Sequence, residues 1–262
     1  MVPVLLETPW FNVYSYGLLL ALGYAAGTLW ILWEARREGL PGEAIFDMLL
    51  LQMIVGVFGS RLLFLWEYAP DKLTLTGILA FESGGLTFYG AVISSLVFDL
   101  LYLKFMRLPF WRVMDCVGFG LPLGMAVARL GCFLNGCCHG TPCSWPWGVV
   151  FPRVGDMPVH PTQLYESGAG LGIFLMLQRW RPRRRNYGEG FTACMGLYGV
   201  FRFLVEFWRG DNPIFAWGMT LSQWVGLGMA AGSVVAWQLI GRTPDLRVVP
   251  SVAPRDLSGF QG

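Results

Sequence analysis

The chain has 262 residues, of which 55% are AVILMFWYC and only 14% are charged, and its mean hydropathy is +0.51. A soluble domain carries roughly 25% charged residues, so there is too little charge here to cover a water-facing surface. A formal net charge of +2, with no basic cluster among the aromatics, also excludes a disordered chain and a nucleic-acid-binding surface, leaving a polytopic membrane protein.

A helix needs about 20 mainly apolar residues to cross a bilayer, and seven stretches approach that length: 13–33, 44–66, 85–103, 111–128, 161–178, 190–208 and 214–239. None alternates with the period of a barrel strand, so the expected fold is all-α. The segment before the first span has no basic residue and carries Glu7, so that span is expected to be retained rather than cleaved as a signal peptide. Arg36 and Arg37 follow the first span, Lys104, Arg107 and Arg112 separate the third and fourth, Arg179 to Arg185 follow the fifth, and Arg242, Arg247 and Arg255 follow the seventh. That bias predicts an outside N-terminus and a cytoplasmic C-terminus. The expected organisation is a seven-helix transmembrane domain over 1–240, with an outer-side loop region at 131–160, and a short cytoplasmic tail at 241–262. Arg179 to Arg185 reads as an anchor touching anionic headgroups.

An ionisable residue inside a span is costly and marks a candidate functional site. Asp47, Asp99 and Asp115 fall near inner ends, where caps or partners for loop cations suffice. Arg61, Arg129, Glu166, Arg202, Glu206 and Arg209 fall in outer halves of different spans at similar depth. Tyr198, Arg202, Glu206 and Arg209 follow the spacing i, i+4, i+8, i+11, which places them on one helix face. An internal ion-pair network that locks helices together is one reading. A cavity lined by arginines is the other, and it suits a ligand with a phosphate and an apolar body, such as a phospholipid, because the guanidinium fork binds phosphate oxygens in pairs. The glycine-rich segment from Ser83 to Gly90 would let backbone approach such a headgroup.

Between the fourth and fifth spans runs Arg129-Leu-Gly-Cys132-Phe-Leu-Asn135-Gly-Cys137-Cys138-His139-Gly140, followed by a Pro/Trp-rich stretch and His160-Pro-Thr-Gln163-Leu-Tyr165-Glu166. With Gly84-Gly85-Leu-x-Phe88, Tyr198-Gly-x-x-Arg202-x-x-x-Glu206, Ser15-Tyr16-Gly17 and Gln223, these motifs resemble the bacterial prolipoprotein diacylglyceryl transferase family, in order from the first span to the last. The resemblance implies a multi-pass inner-membrane transferase without a cofactor. Its lipid partner would be phosphatidylglycerol, and the diacylglyceryl group would pass to the lipobox cysteine of a preprolipoprotein signal peptide. In that reaction Arg129 and Arg202 would hold the phosphate, Glu206 would orient an arginine or the glycerol hydroxyls, and Tyr16, Asn135, Gly140, Tyr198 and Arg209 would line the pocket. Gln163, Tyr165 and Glu166 would line it too, or support the head of the fifth helix.

Three positions depart from the family pattern. A histidine with a catalytic role is expected where Tyr89 stands, and a phenol of pKa near 10 is a poor base at neutral pH. Cys132 and Cys137 replace an Asn and a carboxylate. His139, close to the altered motif, is a candidate substitute base, and His160 reads as a cap. Cys132, Cys137, Cys138 and Cys143 lie within one short outer stretch, where one or two disulfides, a metal site with His139, or thiol redox chemistry are open readings. No clean CxxC spacing is present, so no metal ligand is assigned. The alternative functions are transfer to a different thiol acceptor, a non-enzymatic seven-helix lipid-binding or sensor protein, and a thiol oxidoreductase.

Overall fold

A computed structural model describes residues 4–7, 12–80, 84–152, 154–210 and 212–248. Helices dominate: α1 (Ser15–Arg37), α2 (Gly42–Tyr68), the short α3 (Leu75–Leu79), α4 (Phe88–Phe105), α5 (Phe110–Asn135), α6 (Thr162–Trp180), α7 (Glu189–Val205) and α8 (Leu221–Gly241). Five of these, α1, α2, α5, α7 with the 3-10 turn that extends it, and α8, are long and apolar enough to cross a membrane. Their outward faces carry Leu29, Ile54, Leu62, Val200, Val234 and Leu239, all exposed, as expected of helices whose solvent is lipid.

Two hairpins qualify the all-α expectation. Strand β1 (Val4–Glu7) pairs antiparallel with β2 (Asn12–Tyr14) ahead of α1, and β3 (Ile214–Ala216) pairs with β4 (Met219–Thr220) ahead of α8. The second corrects the seventh span, which was expected to begin at 214. Trp217 and Gly218 both adopt positive φ, 51° and 76°, and turn the chain back, as a tight hairpin requires. The helix starts only at Leu221, where Thr220 and Gln223 form a reciprocal capping box. The fourth span differs in the other direction. It continues through Pro122 to Asn135 and stops where Gly136 enters the left-handed region at φ 78°, its N–H bonded to the carbonyls of Cys132 and Phe133. Cys132 and Asn135 are therefore helical residues, not loop residues.

Glycine seams set the helix packing. A Cβ on Gly23 of α1 would lie 2.6 Å from the Gly124 carbonyl oxygen of α5, and one on Gly199 of α7 would lie 2.7 Å from the Gly226 carbonyl oxygen of α8. Between helices surrounded by lipid, such close backbone approach is a main source of adhesion.

The end of the bundle that carries the 179–185 arginines is tied by charge, which corrects the reading of Arg179 to Arg185 as a simple headgroup anchor. Arg181 pairs with the fully buried Glu34 of α1 at 2.6 Å, and Arg184 pairs with Glu38 and, at 3.2 Å, with the fully buried Asp115 of α5. Asp115 also accepts the backbone N–H groups of Gly188 and Phe191, at 2.9 and 3.0 Å. It thus caps the N-terminus of α7 from a neighbouring helix, where orphan donors and the helix dipole both favour an anion. Beyond α8, the Val248 N–H bonds the Arg185 carbonyl and the Tyr187 N–H bonds the Leu246 carbonyl, so the start of the tail docks on this same end. The rest of the tail, with Arg255, lies outside the described residues, as does Ser83.

Because the α7–α8 seam has no room for a side chain, Gly199→Val should lower stability by about 1–3 kcal/mol. Thermal unfolding in detergent would read this as a fall in melting temperature, and an unchanged midpoint would refute the close contact.

Candidate functional site: an arginine–glutamate cluster beside three thiols

At the opposite end of the bundle, α5, α6 and α7 converge and each brings charge. Arg129 lies on α5 near its C-terminus, Glu166 near the start of α6, and Arg202 at the end of α7. Glu206 opens a 3-10 turn that continues α7, and Arg209 follows that turn. The HPxQLYE segment places Glu166 at this depth because Pro161 cannot extend a helix backward, so α6 begins at Thr162.

Both carboxylates are buried, and each is shared. Glu166 pairs with Arg129 Nε at 2.5 Å and with Arg209 Nη1 at 2.7 Å, and Arg202 Nη1 lies 4.0 Å away. Glu206 pairs with Arg202 Nη1 at 2.8 Å and accepts from Asn212 Nδ2 at 2.6 Å and Thr220 Oγ1 at 2.8 Å. Arg202 Nη2 also donates to Ser222 Oγ at 2.9 Å. Three guanidiniums thus face two carboxylates, and the cluster carries one net positive charge. Tyr198, on the same face of α7, interacts electrostatically with Glu166, Arg129, Arg202 and Arg209. The helical spacing of Tyr198, Arg202 and Glu206 therefore does form a polar stripe, and its partners are the charges expected from the neighbouring helices.

Arg61 does not join them. Buried in α2, it donates to the carbonyls of Gly77, Ala80, Gly84 and Gly85, and so pins the connection between α2 and α4. Tyr89 stands in the first turn of α4, a helix packed chiefly on α2. Between α2 and α4, with Tyr24 of α1, lies an apolar cleft of about 310 Å³ lined by Met53, Val57, Leu86 and Ala91. A cavity of about 860 Å³ opens at the other end of the bundle, around Arg37, Trp111, Arg112 and Arg184. It is remote from the Arg129 cluster by the full length of α5.

The segment between α5 and α6 frames the cluster. Gly140 forms an antiparallel bridge with Arg209, and a Cβ there would lie 2.3 Å from the Trp208 carbonyl oxygen. No side chain fits, so Gly140 fixes where Arg209 sits. Gln163 and Thr162, both fully buried, donate to the carbonyls of Cys137 and Cys138, each at 2.7 Å. His160 Nδ1 meets Tyr165 Oη at 3.1 Å, and Tyr165 Oη in turn accepts from Trp147 Nε1 at 2.9 Å. His139 Nδ1 meets the Gly140 carbonyl at 3.1 Å, with its ring against Phe151. Neither histidine bonds a member of the ion cluster among the described residues. Tyr16, in the first turn of α1, lies against Gly131 of α5, and Asn135 ends α5 beside Cys137.

All six cysteines are free thiols. Of the four expected to cluster, Cys132, Cys137 and Cys138 bring their sulfurs within 4.8 Å of one another, and Cys143 is not part of that group. Hydrogen bonds from the Cys132 and Cys138 thiols hold the Cys137 thiol well below the usual thiol range. Arg129 and Tyr16 both interact electrostatically with Cys132 and Cys138, so the sulfurs adjoin the arginine cluster.

The model of the family described as prolipoprotein diacylglyceryl transferase matches residues 3–239. The chain belongs to the prolipoprotein diacylglyceryl transferase family. Among its relatives, a protein of Bordetella avium named phosphatidylglycerol--prolipoprotein diacylglyceryl transferase is 34% identical over 92% of this chain and 95% of its own length. Proteins of the same name from Bordetella bronchiseptica and Clostridioides difficile are 33% and 31% identical, over 92% and 86% of this chain and 96% and 90% of their own lengths. As a family member the chain is an enzyme, a diacylglyceryl transferase, and the non-enzymatic sensor and thiol oxidoreductase readings fall away.

Removing one partner from a buried ion pair strands the other charge, at a cost of about 3–5 kcal/mol. Glu166→Ala strands both Arg129 and Arg209, so chemical or thermal unfolding should show a loss of at least that size. A loss below about 1 kcal/mol would mean that the guanidiniums find water instead.

Proposed function

We propose that this transferase moves the diacylglyceryl group of phosphatidylglycerol to the lipobox cysteine thiol of a prolipoprotein, releasing glycerol phosphate. The observation that carries the reading is the buried cluster in which Arg129, Arg202 and Arg209 outnumber Glu166 and Glu206 by one charge. A phosphodiester headgroup carries one negative charge at neutral pH, and the cluster is its complement. In the reaction the thiol gives up its proton to water, its sulfur attacks a glyceryl carbon, the carbon–oxygen bond to phosphate breaks, and that bond's electron pair stays on the phosphate oxygen. The leaving phosphate gains negative charge as it departs. Fixed guanidiniums in a site of low dielectric stabilise that developing charge more than they stabilise the intact lipid.

In this reading Arg129 and Arg202 bind the phosphate, and Arg209 supports them through Glu166. Glu206, held by Asn212 and Thr220, keeps the Arg202 fork aimed. Tyr198, Tyr16 and Asn135 line the headgroup side, and the apolar cleft between α2 and α4 can take an acyl chain. Tyr89, exposed at the head of α4, sits where lipid would enter. Gln163, Tyr165 and Gly140 shape the segment that carries Cys137, Cys138 and Arg209. We place seven helices across the bacterial inner membrane with the N-terminus outside. The ends that carry Arg37, Arg112, Arg181 and Arg184 then face the cytoplasm, and the Arg129 cluster lies toward the outer leaflet, where an exported signal peptide would present its cysteine.

Purified protein given radiolabelled phosphatidylglycerol and a lipobox peptide should yield a thioether-linked diacylglyceryl peptide and free glycerol phosphate. A peptide with serine in place of the cysteine should accept nothing. Arg202→Lys keeps the charge but loses the planar fork, and should cut turnover by about 100-fold or more. Absence of product with the intact protein sinks the proposal, and so does a full rate in Arg202→Lys together with Arg129→Ala.

A further inference from the structure

The three thiols beside the arginine cluster have a geometry that the phosphate chemistry does not explain. Cys132 lies in the last turn of α5. Gly136 then turns left-handed, the Cys137 N–H bonds the Cys132 carbonyl at 3.2 Å, and Cys138 itself takes a left-handed φ of 61°. That conformation is uncommon outside glycine and needs surrounding structure to hold it. Here Gln163 and Thr162 supply the hold, by gripping the carbonyls of Cys137 and Cys138 from the first turn of α6. The outcome is that three sulfurs from two turns of chain meet within 4.8 Å.

We propose that Cys132, Cys137 and Cys138 bind a zinc ion, and that this ion takes the acceptor's thiol as its fourth ligand and presents it as a thiolate. The inference rests on the transferase reading above. Sulfurs on a tetrahedral zinc, at about 2.3 Å from the metal, sit about 3.8 Å from one another, so the three thiols need to close by no more than about 1 Å. Among the described residues no fourth Cys, His, Asp or Glu belongs to the group: Cys143 lies outside it, and His139 is held apart with its Nδ1 at the Gly140 carbonyl and its ring against Phe151. Three protein ligands with one position open is the arrangement of a catalytic zinc, whereas structural sites close the fourth position. Cys137 and Cys138 are only partly buried, which leaves that position an approach from outside.

Such an ion supplies what the rest of the site lacks. A free thiol with pKa near 8.5 is only a few per cent ionised at pH 7, position 89 is a tyrosine, and neither histidine bonds the ion cluster. A thiol that coordinates a metal is deprotonated outright. Its proton leaves to water, its sulfur attacks the glyceryl carbon, and the carbon–oxygen bond breaks toward the phosphate held by Arg129. The thioether product is a weak ligand and departs. Cys132 is three residues beyond Arg129, so metal and phosphate clamp share one face of α5. No electron is gained or lost, so no oxidant or reductant is needed.

Elemental analysis of the protein purified without chelator should find one zinc per chain. Cys137→Ser and Cys138→Ser should lower both occupancy and turnover, the latter by about 100-fold, and stripping with a chelator should do the same until Zn²⁺ is returned. With cobalt in place of zinc, addition of a lipobox peptide should shift the visible absorption bands, and the serine peptide should not. That shift reports the open position whether or not lipid is transferred, so a shift without product counts against the phosphatidylglycerol reading alone. Product formed at full rate by metal-free protein, or a disulfide among the three cysteines in the active enzyme, overturns the zinc proposal.

Discussion

Burying a carboxylate in a lipid-embedded bundle is possible only if other charges come with it, and Glu166 shows how far that requirement reaches. Its two oxygens take Arg129 from α5 and Arg209 from beyond α7. An unpaired carboxylate at that depth would cost several kcal/mol even after relaxation, so the three chain segments cannot separate independently. The same pairing leaves each guanidinium with donors to spare, because Arg has five N–H groups and one carboxylate oxygen engages few of them. A site held together by ion pairs can in this way still have capacity for an incoming phosphate.

The opposite end uses the same physics. Glu34, Glu38 and Asp115 meet Arg181 and Arg184, so the carboxylates outnumber these guanidiniums, and backbone N–H groups of α7 take up what remains on Asp115. That network ties α1, α5 and the start of α7 together and reads as a clamp. The Arg129 cluster, by contrast, sets three guanidiniums against two carboxylates. Between the two ends the helices touch through glycine seams, with α1 on α5 and α7 on α8, which bring the charged ends to a common depth.

The Arg129 cluster was largely legible in the sequence because its spacing is local. Tyr198, Arg202 and Glu206 repeat every four residues, and the HPxQLYE motif carries Glu166 a few residues into α6. The clamp around Glu34 and Asp115 was not legible. Glu34 and Arg181 are separated by most of the chain, and a run of arginines after an apolar span has the same appearance whether it meets headgroups or buried carboxylates. Arg61 was misleading for a related reason, since its depth fits the cluster while it donates to backbone carbonyls, which carry no sequence signal. The start of α8 was hidden by composition. Ile214, Phe215 and Trp217 are as apolar as a span, and only the turn at Trp217–Gly218 and the cap at Thr220 exclude them from the helix.

The cysteines show what geometry adds to a motif. Four of them in one short stretch suggested bridges, yet the turn selects three and excludes Cys143. The selection depends on Cys132 being helical, which depends in turn on α5 running past its apolar stretch to Gly136. Extending the helix places Cys132 on the Arg129 face, and the left-handed residues that follow fold Cys137 and Cys138 back over it. Two motif positions that in the family pattern would be an amide and a carboxylate are thus both sulfur, and they converge on one point with a third. Replacing either alone would merely remove a hydrogen-bonding group from the pocket. Replacing both, next to Cys138, exchanges hard oxygen and nitrogen donors for a soft set beside Arg129.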